Sequence, residues 1–81
     1  MDGNTLTNGI QQASPIITLL GVLSGEILTY LEKCEKATAA QLSRELGWTV
    51  PMVMMAIGTL IREGLVLAHP SNLEIVIQPR S

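Results

Sequence analysis

A turn of only three residues between two helices is the feature that most constrains how this chain folds. Gly47 is predicted to end the first of these helices, because glycine adopts the left-handed conformation that a helix stop needs. Trp48 fills the turn, and the hydroxyl of Thr49 can cap the helix that follows. The spacing therefore places a long apolar helix directly after a short capped one.

The first helix of the chain is predicted to begin at Ser14-Pro15 and to end within residues 33–36, where Lys33 and Lys36 suit its C-terminal end. Gly21 and Gly25 each weaken this helix by about 1 kcal/mol relative to alanine, so we expect a close backbone contact that compensates. Its apolar face consists of Ile16, Leu19, Leu20, Leu23, Ile27, Leu28 and Leu31.

The second helix is predicted to start with a capping box, in which Thr38 and Gln41 each bond the other residue's backbone N–H. It is expected to bury Ala39, Leu42 and Leu46. The third helix occupies residues 50–63, is expected to stop at Gly64, and has distinct inward and outward faces when projected at 100° per residue. The inward residues are Val50, Val53, Ile57, Leu60 and Ile61, with Met54 at the edge.

After residue 64 the apolar pattern alternates, which predicts strands over residues 65–69 and 73–78 around Pro70-Ser71-Asn72. Leu73, Ile75 and Ile77 are expected on one face, with Glu74, Val76 and Gln78 on the other. Ala37-Thr38 can add a very short first strand. The predicted fold class is mainly α with a small β-hairpin (α+β).

Three segments carry a resemblance to a known fold family. They are residues 39–47 (AAQLSRELG), the apolar positions Val53, Ile57 and Leu60, and residues 62–66 (REGLV). Together they resemble a bacterial or archaeal winged helix-turn-helix domain over about residues 21–77. Segments 25–31 and 55–60 are also similar to small stand-alone winged-helix proteins of unknown function. This resemblance implies a compact domain able to dimerise, and it implies no chemistry.

The chain is predicted to hold a flexible N-terminal arm (residues 1–13), one winged-helix domain (residues 14–79) and a short tail (residues 80–81). An arm that adds a strand or clasps a partner is the alternative. A chain of 81 residues buries a small core, and the single cysteine, Cys34, allows no internal disulfide. Association with a second copy is therefore the expected route to more buried surface.

The charge balance argues against a broad nucleic-acid footprint, because the net charge is −2 with five cations and seven acids. Residues 15–23 are strongly apolar, but a transmembrane helix needs about 20 such residues. No basic stretch precedes them, so we expect neither a signal sequence nor a membrane partner, and we expect a cytoplasmic protein.

The outward face of the third helix is the main candidate site. Methionine adapts to irregular surfaces, and Gly58 lets another backbone approach closely, so this face is expected to contact protein. Met52 and Met54 as boundary core residues covered by the arm are the alternative. The candidate interface residues are Pro51, Met52, Met55, Gly58 and Thr59.

Contacts to DNA are the competing hypothesis. Base readout favours arginine, lysine, asparagine or glutamine, and on the outward face only Arg62 qualifies. The candidate nucleic-acid contacts are Thr49, Arg62, His69, Asn72 and Arg80.

The sequence contains no paired carboxylates near a histidine, no metal-ligand cluster and no glycine-rich phosphate loop after a strand, so no catalytic residue, cofactor or metal ligand is predicted. Cys34 is expected to be an unreactive thiol. The sequence thus predicts a non-enzymatic, homodimerising protein-interaction module on a DNA-binding type of scaffold. The alternative is a transcriptional regulator that binds DNA through residues 50–63 and the hairpin of residues 65–78.

Overall fold

A computed structural model describes residues 15–80 of the chain; the predicted arm and residues 14 and 81 lie outside them. Three helices and three strands follow in the predicted order, which confirms the winged-helix architecture. The elements are α1 (Pro15–Cys34), β1 (Ala37–Thr38), α2 (Ala39–Leu46), α3 (Val50–Arg62), β2 (Val66–Ser71) and β3 (Glu74–Pro79). The sheet is antiparallel with the order β1-β3-β2, so the predicted short strand pairs at one edge.

The predicted caps around the turn are present. The Gln41 N–H donates to Thr38 Oγ1 at 3.1 Å, and Gly47 ends α2 with φ 78°, in the left-handed region. The Met52 N–H donates to Thr49 Oγ1 at 3.4 Å, which caps α3. One detail was wrong: the Gln41 side chain does not reach back to Thr38 but donates from Nε2 to the Tyr30 hydroxyl at 3.1 Å.

The core lies where all three helices meet the base of the sheet. One stripe of α1 and the inner face of α3 supply most of it, and Leu42 is the buried residue of α2. Ala39 and Leu46, predicted as buried, are half-buried at its edge. The buried residues are Leu23, Ile27, Leu31, Ala37, Leu42, Val53, Ala56, Ile57, Leu60, Val66 and Ile77.

The buried arc of each long helix is narrower than the pattern predicted. Val50 and Ile61 of α3 are 43% and 45% exposed, although both were predicted to face inward. Ala56, which the prediction overlooked, is buried instead. In α1, Leu19 is 44% exposed. The reason is that α3 turns residues 53, 56, 57 and 60 toward the neighbouring elements. Positions 50 and 61 lie at the edge of this arc and extend past those elements.

Only the base of the β-hairpin reaches the core. Ile77 pairs with both Ala37 and Ala68 and is fully buried, while Ile75 is 43% exposed and Leu73 is fully exposed. The predicted apolar face of β3 is therefore buried at one end only. The loop is also shorter than predicted, because only Asn72 (φ 58°) and Leu73 separate the strands.

Candidate functional site

The exposed surface of α3 consists largely of uncharged residues. Met54 and Met55 are 46% and 47% exposed, in the middle of the helix. Met52, predicted to point outward on this surface, is instead half-buried against the core. Val50 and Ile61 are also exposed, but they border the buried side of the helix. We call the other exposed residues of the helix the α3 outer face, and they are Pro51, Met54, Met55, Gly58, Thr59 and Arg62.

Two small residues, Gly58 and Thr59, lie in the middle of the α3 outer face. Their side chains do not project far from the helix, and the Thr59 hydroxyl donates its hydrogen bond within the helix, to the Met55 carbonyl at 3.2 Å. A Cβ built on Gly58 would meet nothing within 4 Å, so nothing in the described part of the chain covers this point. A partner backbone can therefore approach α3 closely here.

A shallow cleft of about 170 Å³ lies beside Met54, between α3, the start of α2 and the wing formed by β2 and β3. Ile75 of the wing lines it, and its charged residue is the acid Glu74. The sequence did not predict this cleft, because it depends on how the wing packs against α2 and α3. Its six lining residues are Thr38, Ala39, Ala40, Met54, Glu74 and Ile75.

The five candidate nucleic-acid contacts are distributed over separate elements. The Thr49 hydroxyl is occupied as the α3 cap, and Arg62 is exposed in the last turn of that helix. In the wing, His69 Nε2 lies 3.3 Å from Gln78 Oε1, and Asn72 occupies the loop. Arg80 is exposed after β3. The fold thus does not gather them at the N-terminal end of α3, where base contacts usually form.

A second depression, the α1–α2 groove, has a volume of about 560 Å³. Gly25 lies in it, and a Cβ built on Gly25 or on Gly21 would meet nothing within 4 Å. The predicted backbone contact at these glycines is therefore wrong within the described chain. The groove residues are Val22, Gly25, Glu26, Thr29, Tyr30, Lys33 and Leu46.

Two hydrogen bonds hold Glu26 and Tyr30, two of the polar side chains of this groove. The Trp48 indole N–H donates to Glu26 Oε1 at 2.8 Å, and the Tyr30 hydroxyl accepts from Gln41 at 3.1 Å. Hydrogen bonding with the neighbouring Cys34 side chain, followed by partial desolvation, raises the pKa of Tyr30 above its ordinary value. Both bonds tie α1 to residues of α2 or of the turn after it.

The family model described as "Winged helix-turn-helix domain (DUF2582)" matches residues 15–79, which is most of the chain. The chain belongs to this family. No curated protein matches it. The match covers α1, the helix-turn-helix unit and the wing, so the fold predicted from the turn and its caps is confirmed.

In this winged helix-turn-helix domain, the described side chains include no group of three or more His, Cys, Asp and Glu residues placed to hold a metal ion. None of the helices within residues 15–80 is long and apolar enough to cross a membrane. Cys34 is exposed at the end of α1, and within the described range its neighbours are not arranged as a metal site.

Proposed function

We propose that this winged-helix domain is a homodimeric protein-interaction module, and that its α3 outer face contacts protein rather than DNA. The observation that carries the proposal is the composition of that face. Met54 and Met55 are each nearly half exposed beside the uncovered Gly58, where a DNA-binding domain presents cations and amides. The winged-helix fold is typically non-enzymatic, and the proposal includes no catalysis.

The apolar character of the surface favours a protein partner. Methionine side chains adapt their shape to a facing surface, and contiguous exposed apolar residues mark sites of protein contact. Ile75, which lines the cleft beside Met54, extends the α3 outer face toward the wing. A partner that covers α3 can therefore also bury part of the wing.

Electrostatics also favours protein over DNA. A specific DNA complex commonly uses on the order of 6–10 phosphate contacts. Among the residues that the structure describes on α3, the wing and the chain after it, the arginines are Arg62 and Arg80. Glu63 directly follows α3, and Glu74 lies in the cleft beside Met54. A phosphate backbone laid across α3 and the wing would meet these carboxylates.

The alternative is a DNA-binding transcriptional regulator that uses α3 and the wing. It is supported by the position of α3, which is capped by Thr49 directly after the tight turn, as in domains that insert this helix into the major groove. It would require further cations from dimerisation or from a partner protein. A cytoplasmic location is part of both proposals and is supported by the single exposed thiol, Cys34.

Fluorescence anisotropy with a random-sequence duplex, at several salt concentrations, separates the two functions. We expect no saturable binding by the full chain at low salt. Binding at low salt that weakens steeply as salt is added would indicate several phosphate contacts, and it would favour the regulator over the interaction module.

A further inference from the structure

We propose that two copies of this chain pair through the α1–α2 groove, with the two α1 helices antiparallel and Glu26 of each copy beside Lys33 of the other. The inference rests on the self-association in the proposed function and names the surface that carries it. It leaves the α3 outer face of each copy free to contact another protein.

The shape of the groove suits a second helix. Val22 of α1, which is 50% exposed, and Leu46 of α2, which is half-buried, both line it. Gly25, which also lines it, has no side chain, and its Cβ position meets nothing within 4 Å. The distance between two packed helices depends on the side chains at their contact, so a glycine here permits a close approach. The volume of about 560 Å³ leaves room for several side chains of a second copy.

The charges of the groove are complementary to themselves. Glu26 and Lys33 both line it and lie seven residues apart on α1, which is about 10.5 Å along the helix axis. Neither takes part in an ion pair with any other residue of the described range. Lys33 is exposed, and the Glu26 carboxylate is held by the Trp48 indole. The charge of each side chain is therefore available to pair with an opposite charge on a partner.

An arrangement of two copies about a twofold axis pairs these opposite charges at two places. The point midway between residues 26 and 33 lies between Thr29 and Tyr30, which are also groove residues. When two α1 helices cross there in antiparallel directions, Glu26 of one copy meets Lys33 of the other, and the symmetry repeats the pair. A parallel arrangement in register would place like charges together. The charges thus set direction and register, while burial of Val22 and Leu46 contributes to the affinity.

Sedimentation equilibrium of the full chain tests this arrangement with two charge reversals. Lys33→Glu and Lys36→Glu each change the net charge from −2 to −4, because a cation becomes an acid. Both lysines are exposed, but only Lys33 lines the groove. We expect Lys33→Glu to raise the dimer dissociation constant by about tenfold or more, because it places like charges together twice, and Lys36→Glu to stay near wild type.

Mixing two variants provides the positive test. Lys33→Glu has two acids in the groove and Glu26→Lys has two cations, so each alone repels its own copy. An equimolar mixture is expected to form heterodimers with an affinity near that of wild type. Because Glu26→Lys also loses the Trp48 bond, circular dichroism verifies its fold, and the comparison of Lys33→Glu with Lys36→Glu is decisive even if that variant unfolds.

Three outcomes would overturn the inference. If Lys33→Glu dimerises like wild type, the α1–α2 groove is not the interface, although the protein is still a homodimer as proposed. Loss of the dimer in Met55→Asp but not in Lys33→Glu assigns the pairing to the α3 outer face. A wild-type chain that stays monomeric contradicts the proposed self-association as well.

Discussion

The Trp48 indole N–H donates a hydrogen bond to Glu26 Oε1 at 2.8 Å, and this bond joins the turn before α3 to the middle of α1. A second bond strengthens the turn, in which the Ser43 hydroxyl donates to the Trp48 carbonyl. The turn that defines the helix-turn-helix unit is thus attached both to α2 and to α1. This fixes the direction in which α3 leaves the turn, and so the position of its outer face.

Removing the carboxylate of Glu26 is expected to destabilise the fold. Glu26→Ala leaves the partly buried Trp48 N–H without its acceptor, which should lower the free energy of unfolding by about 1–2 kcal/mol. Glu26→Gln keeps an acceptor oxygen and should cost less. Urea unfolding followed by Trp48 fluorescence and circular dichroism measures both. The exposed Glu32→Ala is the control, expected within about 0.5 kcal/mol of wild type. An equal loss in Glu32→Ala would show that the hydrogen bond is not the cause.

Replacing glycine by alanine is expected to have opposite effects on stability at Gly47 and Gly21, although both have open space around their Cβ positions. Gly47→Ala must hold a left-handed φ of 78° and should destabilise the fold by about 1 kcal/mol. Gly21→Ala lies within α1 and should stabilise it by about 0.5–1 kcal/mol. Thermal unfolding of the two variants compares them. A loss of stability in Gly21→Ala would mean that another part of the protein lies too close to residue 21 to accept a methyl group.

Two isoleucines on the same face of β3 are expected to differ strongly. Ile77 is fully buried where β3 pairs with β1 and β2, so Ile77→Ala should lower the free energy of unfolding by about 2–5 kcal/mol. Ile75→Ala, two residues earlier and 43% exposed, should cost less than about 1 kcal/mol. Denaturant unfolding measures both. Equal losses would indicate that the core extends further along the wing than its base.

Adding arginines to the α3 outer face is expected to create an affinity for DNA that the wild type lacks. Met54→Arg/Met55→Arg places two cations on exposed positions of the helix that other winged-helix domains insert into the major groove. Anisotropy with a random-sequence duplex should detect binding that weakens with salt, with a log-log slope near −2 per copy. The same variant with two glutamates is the control. An unchanged double-arginine variant would indicate that α3 cannot reach DNA at all.

The helices, caps and wing were predictable from the sequence because each depends on residues close together in the chain. Gly47 and Thr49 specify the ends of α2 and α3 through their own backbone and side-chain preferences. The two-residue strand β1 was expected from the winged-helix layout as a whole, since it pairs with β3 about 40 residues further along the chain. The local argument failed for Gln41, because the competing partner, the Tyr30 hydroxyl, lies eleven residues away on another helix.

The surfaces were less predictable, because they depend on which elements pack against each helix. A helical projection cannot tell that Met52 is half-buried while Val50 is exposed, since both are apolar and border the same inward arc. The α1–α2 groove joins Gly25 to Leu46, 21 residues apart, and no local pattern marks it. The sequence did contain one of its elements, Gly25, a glycine within a helix whose Cβ position meets nothing within 4 Å.

The mass of the wild-type chain in solution, measured by sedimentation equilibrium from low to high micromolar concentration, tests the central claim most directly. The account predicts a reversible dimer, whose mass rises from that of one chain to that of two as the concentration increases. A single-chain mass over the whole range, in a protein shown by circular dichroism to be folded, would contradict it.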